Sequence, residues 1–248
     1  SSGTSTSPWA RARRPASGIE GAMPGSLAGR RCLITQAGDF MGPALCEEFR
    51  GAGAEVIENF ETLEAPDAAE RVLREAGEVD ILVANLALKA PVTPAPDIGD
   101  EEWRQLFAVV VDPLPRLVRG IAPAMIARRA GKILVMGSAS ALRGIRNTAS
   151  YAAARGAQAA YVQSAALDLA PHNVQMNLIA QNFVENPTYF PPEVQANPQF
   201  QQRLAREVPL GRLVTAREDA RFAVYLCSSD ADCFVGQVFP VCGGWVAR

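Results

Sequence analysis

Residues 132–155, KILVMGSASALRGIRNTASYAAAR, decide the fold. The opening KILVMG is a strongly apolar run and reads as a buried strand over 132–137. An alanine-rich helical pattern follows over 149–170. Ser138 stands at the end of the strand, so its hydroxyl lies at the carboxyl edge of a sheet. Tyr151 and Arg155 stand in the first turns of the helix. Residues four apart share a helix face, so these two side chains can meet.

The same alternation extends outward in both directions. Short stretches at 31–35, 55–59, 81–85, 174–180 and 237–242 read as strands. Helical patterns fall between them at 43–53, 67–77, 100–129, 198–208 and 216–228. Pro43 suits a first helical turn, Asp67 an N-cap, and Pro113 and Pro115 a kink in the long helix. Strands that alternate with helices predict right-handed crossovers and an α/β, doubly wound parallel sheet. Ligands of such sheets sit outside the carboxyl ends of the strands. Three segments there deserve chemistry: the turn after Thr35, the segment 138–155 and the loop after Ala180.

Composition narrows the function classes. With 24 basic and 26 acidic residues in 248, no cationic excess favours a nucleic-acid partner. The single histidine, His172, argues against a histidine metal site or a Ser-His-Asp triad. Five cysteines without CxxC spacing predict neither a disulfide framework nor zinc, so no metal is expected and a reducing, cytoplasmic setting is. No stretch approaches the roughly 20 apolar residues of a membrane span. Residues 1–22, rich in Ser, Ala, Gly, Pro and Arg, are expected to be a flexible extension or tag before one catalytic domain at 23–248.

Ser138, Tyr151 and Arg155 make a coherent catalytic trio. A tyrosine ordinarily titrates near ~10. To work as a base near neutral pH it must come down about two units, roughly 2.7 kcal/mol. A cation about 4 Å away, at an effective dielectric of about 20, supplies roughly 4 kcal/mol before desolvation losses. One arginine suffices in principle. A serine hydroxyl beside the pair can fix a substrate oxygen.

On these residues the chain resembles the short-chain dehydrogenase/reductase superfamily over nearly all of 27–248, which implies a single Rossmann-like domain. That superfamily uses Ser, Tyr and Lys in this order, with Tyr-x3-Lys on the helix. Arg155 stands where the lysine is expected, and the two are not interchangeable at such a site. Ser-x12-Tyr-x3-Arg is instead the pattern of the halohydrin dehalogenases, a cofactor-free branch of the superfamily.

The turn after the first strand points the same way. The dehydrogenases carry TGxxxGxG there, whose glycines let the backbone approach a pyrophosphate. This chain reads Thr35-Gln36-Ala37-Gly38-Asp39-Phe40-Met41-Gly42, which matches the dehalogenase pattern T-x4-[F/Y]-x-G. The Phe40 ring is expected to obstruct the phosphate position, and Asp39 to add a like charge. Glu58 stands where a ribose-binding acid belongs if nucleotide were still bound. Asn85 matches an asparagine of the superfamily and is expected to brace the sheet edge.

After the fifth strand the run 177–184, NLIAQNFV, lacks the Pro-Gly pair of nucleotide-using relatives. The resemblance makes this loop a halide nest, where backbone N–H groups and rings surround the leaving ion. Gln181, Asn182, Phe183 and Val184 would form its wall, Phe40 a further wall, and Tyr189 and Phe190 its closure. A halide leaving into a dry pocket needs such donors.

The resemblance thus implies reversible conversion of a vicinal haloalcohol to epoxide, halide and a proton, and epoxide opening by azide, cyanide or nitrite. It implies no cofactor. It also implies a homotetramer built on the alanine-rich helix and the long helix before it. Trp245 is a candidate to reach a neighbouring subunit's pocket. Two alternatives stand beside this: an NAD(P)-dependent short-chain reductase with a degenerate nucleotide turn, and a non-catalytic binding module.

Overall fold

A computed structural model describes residues 25–247; the expected extension over 1–22 lies outside the described residues. Six strands form one parallel sheet: β1 (Arg31–Ile34), β2 (Glu55–Glu58), β3 (Ile81–Asn85), β4 (Gly131–Ser138), β5 (Val174–Gln181) and β6 (Val238–Val241). Their spatial order is β2-β1-β3-β4-β5-β6. The chain reverses its direction of winding between β1 and β3, and ligands of doubly wound sheets collect at such a switch point.

Among the described residues there are eight α-helices: α1 (Gly42–Gly51), α2 (Ala68–Ala76), α3 (Asp100–Leu106), α4 (Pro113–Arg128), α5 (Ala149–Leu169), α6 (Pro192–Gln195), α7 (Pro198–Glu207) and α8 (Ala216–Cys227). Alternate strand residues point to opposite faces. Leu33, Leu82, Ile133 and Leu178 therefore pack toward α2, α4 and α5. Cys32, Ile34, Ile81 and Leu134 pack toward α1 and α8. Each large apolar side chain fully removed from water stabilises by roughly 1.5–3 kcal/mol. Burial on both faces explains why the inner strands β1, β3, β4 and β5 read as apolar runs, while the edge strands β2 and β6 stay partly exposed.

Two expectations are corrected. Asp67 makes no side-chain cap for α2; its carboxylate pairs with Arg71 instead. The helical pattern over 100–129 is not one kinked helix. It breaks into α3, a π-turn over Phe107–Val111, and α4. The Asp112 N–H donates to Phe107 O, one residue further back than in an α-helix, at 2.9 Å. Pro113 then opens α4, where its missing N–H costs nothing.

Candidate active site

All ten residues singled out as site candidates line one cavity of about 160 Å³ at the carboxyl ends of the strands. They are Phe40, Ser138, Tyr151, Arg155, Gln181, Asn182, Phe183, Val184, Tyr189 and Phe190. The volume is about half the lower bound usual for a drug-sized ligand, roughly 300 Å³.

The trio is assembled by β4 and the start of α5. Ser138 ends β4 in register with Gln181 of β5. The Ser138 hydroxyl oxygen accepts from the Ser140 backbone N–H at 3.2 Å and from the Ser140 hydroxyl at 2.9 Å. A hydroxyl has two acceptor sites and one donor, so its own proton remains for a ligand oxygen. Tyr151 and Arg155 are both buried. The guanidinium carbon lies 5.1 Å from the Tyr151 ring centroid, stacked on its face. Nη1 of Arg155 donates to Leu86 O at 2.8 Å, to Met136 O at 3.3 Å and to Gln158 Oε1 at 2.9 Å. All three bonds leave from one nitrogen, so the guanidinium is held by one corner with its plane against the Tyr151 ring.

The first turn is braced to β3 rather than left open. Asn85 Nδ2 donates to Gln36 O at 3.0 Å and to Asp39 O at 3.2 Å. The Gln36 side chain spans to Ala87, accepting from its N–H at 2.6 Å and donating to its O at 3.1 Å. Gln36 and Phe40 sit at φ 45° and 49°, the left-handed region glycine prefers. A non-glycine residue there costs roughly 1–2 kcal/mol, so these side chains are kept against a backbone penalty. Gly42 is retained for a different reason: a Cβ there would stand 2.4 Å from Ala37 O.

Next to the turn, the Phe40 ring meets the Tyr189 ring at 5.8 Å. Tyr189 is fixed in turn, its hydroxyl accepting from the Ala90 N–H at 2.7 Å. Burial, reinforced by the neighbouring Tyr151, pushes the Tyr189 phenol up to about 12. Tyr189 is therefore neutral at ordinary pH. Phe190 stacks on Phe183 with ring centroids 6.0 Å apart.

The loop after β5 departs in part from expectation. The Asn182 N–H donates to Val241 O at 3.1 Å, and the Phe183 N–H to the Asn182 side chain at 2.9 Å. Two of the amides expected to surround an ion are thus already engaged. Val184 pairs with Val214 through its neighbours, Phe183 O and the Glu185 N–H, and among the described residues its own N–H has no hydrogen-bond partner. Phe183 itself sits at φ 51°. Trp245 does not reach outward. It is buried in its own chain, with its ring 6.4 Å from Phe183 and Arg143 stacked over it.

Behind Gln181 lies a group that sequence reasoning missed. Gln181 Nε2 donates to the Asp219 carboxylate at 2.5 Å, and Asp219 is fully buried. Burial lifts this carboxyl to about 7, while the Gln181 hydrogen bond pulls the other way. Asn186 was also missed. Its side chain accepts from the Tyr189 N–H at 2.9 Å and donates to Val184 O at 3.0 Å, locking the loop over the cavity. Neither carried a signal beyond being polar in a loop or first turn.

The nucleotide that the reductase alternative would need fits these residues poorly. Gln36 ties the first turn to Ala87, and Phe40 lines the cavity in contact with Tyr189. A Cβ at Gly38 would stand 3.3 Å from the Phe60 ring, so that ring covers the flexible middle of the turn. Glu58 is held by Arg50 at 3.0 Å.

Comparison with known proteins sets these features in a family. Residues 42–246 match the model described as enoyl-(acyl carrier protein) reductase. The L-xylulose reductase of Bos taurus is 28% identical over 242 residues, covering 89% of this chain and 98% of the relative. A solved structure described as a dehalogenation enzyme is 32% identical with TM-score 0.81, covering 88% of this chain and 99% of that one. A halohydrin dehalogenase bound to ethyl (2S)-oxiran-2-ylacetate is 25% identical with TM-score 0.78, covering 86% and 96%. With a six-stranded parallel sheet in this order and a family model spanning most of its length, the chain belongs to the short-chain dehydrogenase/reductase superfamily.

Proposed function

We propose that the protein is a cofactor-independent halohydrin dehalogenase. The observation that carries this is the pairing of Arg155 with Tyr151 beside a first turn filled by Gln36 and Phe40. A tyrosine with a cation over its ring is suited to proton abstraction, and Gln36 and Phe40 put side chains into the turn where a dinucleotide would have to approach. The similarity to a dehalogenation enzyme and to a halohydrin dehalogenase supports the same reading.

In this mechanism Ser138 donates a hydrogen bond to the substrate hydroxyl oxygen. Tyr151, as phenolate, takes the hydroxyl proton. The alkoxide oxygen attacks the adjacent carbon from the side opposite the carbon–halogen bond. One C–O bond forms, the C–halogen bond breaks, and halide leaves with the bonding pair. The products are epoxide, halide and a proton that passes from Tyr151 to solvent. No hydride moves. Ring closure is intramolecular, so the protein's task is to align three atoms and stabilise two charges. The leaving ion would rest between Phe40, Phe183 and the Val184 amide. In the reverse direction a small anion such as azide, cyanide or nitrite would enter there and open the epoxide.

A second reading is an NAD(P)-dependent reductase, favoured by the names of curated relatives, L-xylulose reductase and 3-oxoacyl-[acyl-carrier-protein] reductase. It requires the Phe40 and Phe60 rings to move and the Gln36 bridge to break. The two readings separate in calorimetry and in a turnover assay. The dehalogenase predicts halide release from a panel of vicinal haloalcohols and no saturable NADH or NADPH binding. Saturable nucleotide binding with no halide release from any haloalcohol would replace it by the reductase.

A further inference from the structure

Gln158 is among the most buried polar side chains of the molecule, on α5 and one turn beyond Arg155. An amide at zero exposure needs partners for both ends. Its Oε1 accepts from Arg155 Nη1 at 2.9 Å, and its Nε2 donates to Val110 O at 2.7 Å. Val110 lies in the π-turn. The Val110 carbonyl lies beside the site, and Gln158 supplies it with a side-chain donor.

We propose that Gln158 is a positioning residue that ties the Arg155 guanidinium to the Val110 carbonyl and so holds the cation against the Tyr151 ring. Arg155 Nε is buried with no hydrogen-bond partner, so the side chain is not saturated by its surroundings. Its plane is set by the acceptors on Nη1 alone: Leu86 O, Met136 O and Gln158 Oε1. Without Gln158, one of three tethers is lost and Val110 O is left buried without its side-chain donor. Attraction between charges falls as the inverse of their separation. A loosening of about 3 Å costs roughly tenfold in the stability of a phenolate at this spacing.

The inference rests on Tyr151 serving as the base, so its test has a readout that needs no substrate. Phenolate absorbance is titrated with pH as a difference between a protein and its Tyr151→Phe counterpart, alongside the pH profile of halide release. Gln158→Leu is expected to move both curves to higher pH by about one unit, with release falling about tenfold near neutrality and recovering in alkali. Gln158→Glu keeps the shape but sets a carboxylate on Arg155 and withdraws the donor from Val110 O. It is expected to move the curves at least as far. If Gln158→Leu fails to fold, Gln158→Met, which fills the space with no hydrogen bond to Arg155 or to Val110 O, takes its place as the deciding variant. Uniformly lower rates with both curves unmoved would make Gln158 a packing residue and overturn the proposal. Absent halide release in the wild type would sink the dehalogenase, while the absorbance titration would still judge Gln158.

Discussion

The Phe40 ring rests 5.8 Å from the Tyr189 ring at 48°, and the two form one side of the cavity that holds Tyr151 and Arg155. Phe40 keeps this position at φ 49°, so the contact is maintained against the backbone's preference. Phe40→Gly would relieve that strain while removing the ring. The fold should survive with little change in Tm. Bromide affinity, read by calorimetry, should fall about tenfold, the scale of one lost packing wall. Unchanged bromide affinity would remove Phe40 from the proposed halide pocket.

Tyr151→Phe keeps the ring and its stacking with Arg155 but deletes the proton acceptor. Positioned proton transfer is worth roughly 10²–10⁴ in rate. Halide release should drop by about that factor, with circular dichroism and Tm close to wild type. Arg155→Lys should also lose activity, about tenfold or more. One ammonium does not reproduce a planar fork that stacks on a ring while bonding Leu86 O and Gln158. Restoring the superfamily's lysine should not restore nucleotide binding, because Gln36 and Phe40 remain; calorimetry with NADPH checks it.

Asp219 gives a pH-dependent prediction whose sign follows from its burial. Its carboxyl is raised from the ordinary value to about 7 in the folded chain. Between pH ~4 and ~7 the unfolded chain has released this proton and the folded chain has not, so stability falls as pH rises through that window. Above it the cost is constant, at most about 4 kcal/mol for three units. Asp219→Asn keeps an acceptor for Gln181 and removes the charge. Its Tm should exceed that of wild type at pH 8 and converge with it by pH 4. A variant less stable at pH 8 would mean the carboxylate is paired there.

Gly42→Ala probes the first turn by sterics alone. The added methyl would meet Ala37 O at 2.4 Å, so the turn or the start of α1 must shift. Overpacking of this kind costs roughly 1–3 kcal/mol. Denaturant unfolding should register that loss. The Asn85 bonds to Gln36 O and Asp39 O should break with it, which hydrogen exchange would report.

Much of this site was legible in the sequence because its devices are local. A strand ending on Ser138 and a helix opening on Tyr151 and Arg155 need only periodicity to be placed at one sheet edge. Phe40 and Gln36 stand out through the resemblance, which puts glycines of the dehydrogenase turn at their positions; their left-handed backbone shows only in the structure. The π-turn was not legible. Prolines at 113 and 115 announce a disturbance, but a kink and an extra residue in the turn look alike without hydrogen bonds. Gln158 was hidden for a related reason. A glutamine on an alanine-rich helix reads as a solvated position until the carbonyl it satisfies is known. The amides of 182 and 183 were misjudged because their partners, Val241 O and the Asn182 side chain, are set by tertiary contact and by a rotamer.

The most direct test follows halide and nicotinamide absorbance in the same reaction. Protein stripped of nucleotide is mixed with 1,3-dichloro-2-propanol, with and without added NADP⁺ or NADPH. Cofactor-free ring closure predicts halide and epoxide in equal amounts, at a rate indifferent to nucleotide, with nicotinamide absorbance flat. Halide release that requires nucleotide, or no halide release from this or related haloalcohols while nucleotide is consumed with a carbonyl or alcohol substrate, would contradict it.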